Sequence, residues 1–284
     1  MNVARSKGIA IISGGSSGIG LACACELAAR GYKIIIIARD PQRLEVAREL
    51  VLKHGAPAVF AFSLDVVDEA ECAKAVDQIA TNGERIEWLI TCAGDVEPGL
   101  FGAQGIDAHR RQFDLNYFGT LNLVAPVARH MVTQRSGRIV LVSSAAAFVG
   151  IAGYSAYGAT KFAIRGLGEA LRVELAPHGV TCSVAFPPDT YTPQLARECG
   201  VRPEITDIVA SSGGTISPQT VAENMISGAL KGRFVLTPSL LIRLYSWTHS
   251  VYAPFFLARQ IRLIRKMLAR DEKPGSGKTR QSRN

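Results

Sequence analysis

Through residue 185, short β-branched apolar runs alternate with longer stretches whose apolar positions recur every three or four residues. The runs predict strands at Ile9–Ile12, Lys33–Ala38, Pro57–Leu64, Ile86–Thr91, Gly137–Ser143 and Val180–Phe186. They are almost wholly apolar, as strands are when helices cover both faces of a sheet. The intervening periodicity predicts helices at Ile19–Arg30, Arg43–His54, Glu69–Ala80, Asp107–Thr133 and Tyr157–Ala176. Strand and helix in strict alternation predict an α/β fold, a doubly wound parallel sheet, within a single domain. After Phe186 the alternation breaks at Pro187-Pro188. A mixed segment, about 189–214, has the place of a substrate lid, and a helix from Pro218 to Lys231 follows.

Charge divides the chain differently. The net charge is +8, and of the 32 Lys+Arg and 24 Asp+Glu, 10 and 2 fall in residues 239–284, leaving 22 and 22 in 1–238. A neutral body, 1–238, therefore carries a basic end, a distribution that argues against nucleic acid as a partner. Within 239–270 the uncharged run Leu244–Ala258 is shorter than the ~20 apolar residues of a membrane span. On a helical projection Leu257, Ile261, Ile264 and Leu268 share one face, and Arg259, Arg262, Lys266 and Arg270 the other. This predicts a C-terminal amphipathic helical extension lying at an anionic membrane surface, the alternative being a helix docked on the protein itself. Residues 271–284 read as a basic flexible tail. The six cysteines lack metal-ligand spacing and the histidines are scattered, so no metal site is expected, and free thiols suit a reducing, cytoplasmic setting. The apolar run Ile9–Ile12 is too short for an export signal.

The first strand runs through Gly14, Ser16, Ser17, Gly18, Ile19 and Gly20 directly into a helix. Glycines there let the backbone approach a pyrophosphate whose charge meets the helix N-terminus, which makes the sheet a Rossmann-type dinucleotide site. At the end of the second strand, where an acidic residue would hold a ribose 2′-hydroxyl, stands Arg39, with Arg43 a turn later. Guanidinium groups suit a 2′-phosphate, so the cofactor expected is NADPH. Asp40 is placed to cap the next helix before Pro41. Asp65 and Val66 end the third strand beside the adenine position, and Ala93-Gly94 ends the fourth.

Tyr157 and Lys161 lie one helical turn apart on one face, and Ser143-Ser144 precedes them at a strand's C-terminal end. A phenol is a weak proton donor at neutral pH, but a neighbouring cation lowers its pKa. A hydroxyl such as Ser144 can hold a carbonyl oxygen.

The ordered set Gly14–Gly20, Asp65, Ala93-Gly94, Asn116, Ser144, Tyr157 and Lys161 resembles the short-chain dehydrogenase/reductase family. That resemblance implies Tyr157 as the acid, Lys161 on the nicotinamide ribose and Ser144 on the substrate carbonyl. It also implies Asn116 as holder of a relay water, with Pro187, Thr190 and Thr192 near the nicotinamide, and an assembly as homo-oligomer through the 107–133 helix. The chain departs from the family pattern at Ser13, at Thr91-Cys92 and at Pro188. Phe186–Pro193, with Phe162–Leu167, resembles the ketosphingoid reductase branch. The branch implies NADPH-dependent reduction of the C3 ketone of 3-ketodihydrosphingosine, a long-chain lipid ketone, to dihydrosphingosine. A reductase of steroids or 3-ketoacyl thioesters could carry a similar lid, and a non-catalytic NADPH-binding membrane sensor is the reading from another class.

Overall fold

The computed structural model describes residues 7–81 and 83–271. Strands β1 (Ile9–Ser13), β2 (Lys33–Ala38), β3 (Val59–Ser63), β4 (Ile86–Thr91), β5 (Gly137–Val142) and β6 (Val180–Ala185) form a parallel sheet. Two short strands, β7 (Asp189–Thr190) and β8 (Thr215–Ile216), pair with each other outside it, and β9 (Val235–Leu236) joins its β6 edge. The order is β3-β2-β1-β4-β5-β6-β9, so the chain reverses direction across the sheet between β1 and β4. That reversal opens a crevice at the carboxyl ends of the strands, where doubly wound folds bind ligands. β9 has only two paired residues and left no period in the sequence.

The all-apolar strands divide by alternation. Ile9 and Ile11 of β1, with Ile35 and Ile37 of β2, pack under helices α3 (Glu69–Ala80), α5 (Gly119–Gln134) and α6 (Ser155–Leu175). Ala10, Ile12, Ile34 and Ile36 pack on the opposite face under α1 (Gly18–Ala29), α2 (Pro41–Lys53) and α9 (Pro218–Leu230). Each fully buried Ile or Leu in these layers contributes about 1.5–3 kcal/mol. At the start of α2, Asp40 accepts hydrogen bonds from the amides of Gln42 (2.9 Å) and Arg43 (3.1 Å), with Pro41 in the first turn, as its cap pattern predicts.

The helix expected at 107–133 is not one regular helix. It runs as α4 (Ile106–Phe113), a π-helical turn at Asp114–Phe118, then α5. Periodicity does not register one extra residue in a helical ladder, and such turns cluster at functional sites. The segment 189–214 holds two short helices, α7 (Pro193–Cys199) and α8 (Glu204–Ala210), above the carboxyl ends of the strands.

Helix α10 (Leu240–Asp271) covers the predicted amphipathic stretch, but its inward face differs from the projected one. Ile242 packs into the main core, and Phe256 packs with Ile205 and Val209 of α8. The Gln260 side chain donates to Gly150 O (2.9 Å) and accepts from Ala152 N (2.9 Å). Of the apolar face projected from sequence, Ile264 turns inward, whereas Leu257, Ile261 and Leu268 stay exposed. Contacts with α8 and the 150–152 loop set the rotation of the helix, and neither is encoded in its own period. The basic tail expected at 271–284 lies outside the described residues, apart from Asp271 at the end of α10.

Candidate active site

The crevice is a cavity of about 340 Å³ that spans both ends of the expected chemistry. At one end the β1–α1 loop closes tightly on itself. A Cβ at Gly20 would stand 2.3 Å from Gly14 O, and Gly18, at φ +54, would press one to 2.9 Å from Thr192 Cγ2. No side chain fits there, so the first turn of α1 presents bare backbone beside Ser16, Ser17 and Ile19, the form a dinucleotide pyrophosphate requires. The Ser13 hydroxyl accepts from Ala93 N (3.2 Å) and Ser13 O from Cys92 N (3.1 Å), joining the ends of β1 and β4. The family's usual threonine is therefore replaced here by a hydroxyl that still bonds.

Arg39, Arg43, Asp65 and Val66 line the outer end of the same cavity. Arg39 and Asp65 form an exposed pair at 3.9 Å, and Arg43 faces Asp40 at 3.4 Å. Both guanidiniums are solvent-facing, in loose pairs that a phosphate could displace, which fits NADPH.

At the inner end the π turn places Asn116, buried, against the Asp95 backbone and Thr160. Its Oδ1 accepts from Asp95 N (2.9 Å), and its amide donates to Asp95 O (3.0 Å) and Thr160 Oγ1 (3.1 Å). Thr160 in turn donates to Tyr157 O (2.7 Å). Asn116 thus clamps the loop after β4 to the first turns of α6. Ser144 follows β5, its hydroxyl accepting from Ala146 N (3.2 Å) and lining the cavity with Tyr157. Lys161 is buried one turn on, donating to Val142 O (3.1 Å), and the Ser143 hydroxyl donates to Lys161 O (2.8 Å). Pro187, Thr190 and Thr192 close the cavity from the lid side, Thr192 also capping α7 through Leu195 N (3.2 Å). Every expected site residue except Asn116 lines the cavity, and Asn116 braces its wall.

The electrostatics correct one expectation. Burial raises the Tyr157 phenol well above its ordinary value, against a lowering by the neighbouring Ser144 hydroxyl and Arg202. The Lys161 ammonium lies over the ring, 5.5 Å from its centroid. Burial also lowers Lys161 itself to about 8. At neutral pH Tyr157 is a protonated phenol, the form a proton donor needs.

The structure adds residues that were given no site role from the sequence: Tyr154, Asp189, Glu198 and Arg202. The Tyr154 ring stands edge-on to Tyr157 at 5.3 Å, and its hydroxyl donates to Glu198. Arg202 donates to Glu198 Oε1 (2.8 Å) and to both oxygens of Asp189 (2.9 and 3.1 Å). The one-turn spacing of Glu198 and Arg202 was visible in the sequence, but nothing there joined it to Tyr154.

The short chain dehydrogenase family model matches residues 8–199. The 3-dehydrosphinganine reductase of Danio rerio is 35% identical over 228 residues, covering 79% of this chain and 69% of that one. The 3-ketodihydrosphingosine reductase of Dictyostelium discoideum is 32% identical over 265 residues, covering 87% and 79%. Among solved structures, a short-chain dehydrogenase from Sphingobium yanoikuyae in complex with NADPH superposes with a TM-score of 0.74 at 26% identity, covering 95% of this chain and 98% of that one.

Proposed function

From the premise that this chain belongs to the short-chain dehydrogenase/reductase family, we propose that it reduces the C3 ketone of 3-ketodihydrosphingosine to dihydrosphingosine with NADPH. The observation that carries the chemistry is the half-buried Tyr157 phenol, which shares one cavity with Ser144 at the carboxyl end of β5, the glycine loop and Arg39.

Bound NADPH supplies the hydride that goes to the carbonyl carbon. The glycine loop and the α1 N-terminus would hold its pyrophosphate, Arg39 and Arg43 its 2′-phosphate, and Asp65 and Val66 would border the adenine. Ala93, Gly94, Pro187, Thr190, Thr192 and Lys161 would form the nicotinamide end. Ser144 holds the carbonyl oxygen through its hydroxyl, and Tyr157 gives its proton to that oxygen as the alkoxide develops. Asn116 acts by fixing the β4 loop against α6, which keeps the acid at its station. The body 1–238 is the catalytic unit, with the lid at about 189–214 over the lipid chain.

We propose further that α10 meets a membrane surface, although no helix among the described residues is long and apolar enough to cross one. Leu240, Leu244, Trp247, Val251 and Phe255 form an outward apolar stripe, with Trp247 at 72% and Phe255 at 73% exposure. Arg262, Arg265 and Lys266 continue the outward face as cations. Aromatic and aliphatic side chains followed by a basic turn suit an anionic lipid interface. Phe118 and Phe162, exposed along the π turn and α6, support assembly as a homo-oligomer.

The test is NADPH consumption by the purified full chain with 3-ketodihydrosphingosine as substrate. Turnover supports the reading. Turnover of steroids or 3-ketoacyl thioesters with none of the sphingoid ketone would overturn the substrate and leave the family intact.

A further inference from the structure

One wall of the catalytic cavity carries a charge arrangement that neither NADPH binding nor proton transfer uses. Asp189 and Glu198 line the cavity, whereas Arg202, which binds both, does not. The guanidinium lies behind them with its side chain 2% exposed. These two carboxylates, with Asp207 a third at 3.7 Å from the same guanidinium, leave a net negative charge on the wall, at a depth where an uncompensated charge is costly. The remaining nearby cations are otherwise committed. Arg197, at the rim, faces Asp95 at 3.4 Å, and Lys161 donates to Val142 O.

Glu198 is the member of this wall joined through Tyr154 to Tyr157. It is 7% exposed and bonds to Tyr154, whose ring lies against that of Tyr157. Both Tyr154 and Arg202 bond to Oε1, and among the described residues no hydrogen bond falls on Oε2. A buried carboxylate with a free oxygen beside the proton donor is matched by a cation carried on the substrate close to its carbonyl. In 3-ketodihydrosphingosine the amino group sits on the carbon next to the ketone, so a carbonyl held by Ser144 and Tyr157 brings the ammonium to this part of the wall.

We infer that Glu198 determines specificity for amino ketones by receiving the substrate ammonium on its free carboxylate oxygen, with Arg202 and Tyr154 holding that carboxylate in position. The inference rests on the proposed ketosphingoid reduction and assigns the residue that would distinguish such a substrate from a plain lipid ketone. Burial raises the Glu198 carboxyl above its ordinary value, the direction expected of an acid whose cationic partner arrives with the ligand.

The experiment compares kcat/KM for 3-ketodihydrosphingosine and for its amine-free analogue, the same chain and hydroxyl without the amino group. Both ketones are assayed with NADPH on the wild-type full chain and on Glu198→Gln. The wild type should favour the amino ketone by about 30-fold or more, the lower end of what losing one partner of a buried charge pair costs. In Glu198→Gln that ratio should fall toward one, a readout that loss of folded protein does not move. A wild type that reduces both ketones equally well overturns the inference without any variant, and so does a Glu198→Gln enzyme that keeps the wild-type ratio. A wild type inactive on both ketones overturns instead the proposed function on which the inference rests.

Discussion

The Lys161 ammonium lies 5.5 Å from the centroid of the Tyr157 ring and is held there by Val142 O. Burial acts on the two groups in opposite directions, raising the phenol and lowering the ammonium to about 8, since each loses its charged form on leaving water. At neutral pH both groups are then protonated, a phenol beside an ammonium.

Tyr157→Phe removes the transferred proton while keeping the ring that packs on Tyr154. We expect kcat for ketone reduction to fall by about 10²–10⁴. Steady-state NADPH oxidation checks this, and a variant retaining most of its turnover would contradict the role of Tyr157.

Lys161 also gives the fold a pH dependence. Its pKa is about 8 in the folded chain against 10.5 for an ordinary lysine, so between these values the unfolded chain binds more protons than the folded one. Stability then rises with pH across that window, and below it the full cost, about 3 kcal/mol, is present. In urea unfolding without cofactor, wild type should gain on Lys161→Met as pH goes from 8 to 10.5. A flat or falling difference would contradict the burial argument.

Arg39→Asp should turn cofactor choice. The substitution puts an acid where a ribose hydroxyl would be held and adds repulsion to a 2′-phosphate. The NADPH-to-NADH ratio of kcat/KM should drop by about tenfold or more, read from initial rates with each cofactor. An unchanged ratio would remove Arg39 from phosphate recognition.

The Thr91 hydroxyl is buried at the end of β4 with no hydrogen-bond partner among the described residues. Valine has nearly the same shape without the unmatched polar atom. Thr91→Val should therefore leave stability unchanged or raise it by about 1 kcal/mol in urea titration. A loss of that size would reveal a partner for the hydroxyl.

For the membrane surface, the variant Trp247→Glu/Val251→Glu/Phe255→Glu changes only exposed positions on α10. Wild type should sediment with vesicles rich in phosphatidylserine, and the triple variant should stay in the supernatant. Equal sedimentation of the two would contradict docking through this face.

Much of this site was legible along the chain because its determinants are local. Strand-wide apolarity, the glycine loop, Arg39, and the one-turn spacing of Tyr157 and Lys161 depend only on residues near one another in sequence. So does the Asp40 cap, which reaches two and three residues ahead. The physical reason is the fixed period of helix and strand, which turns spacing into direction.

What the tertiary structure decided is where those local directions meet. Asn116 reaches Asp95 and Thr160 only because a π turn reorients its helix. Tyr154 finds Glu198, 44 residues away, only when the segment that carries α7 folds over α6. The rotation of α10, and with it which of its apolar residues face outward, follows from Phe256 packing on α8. The pKa of Tyr157 belongs to this second class. From sequence a lysine one turn away promised a lowered phenol, but desolvation depends on everything packed around the ring, and here it outweighs the neighbouring charges.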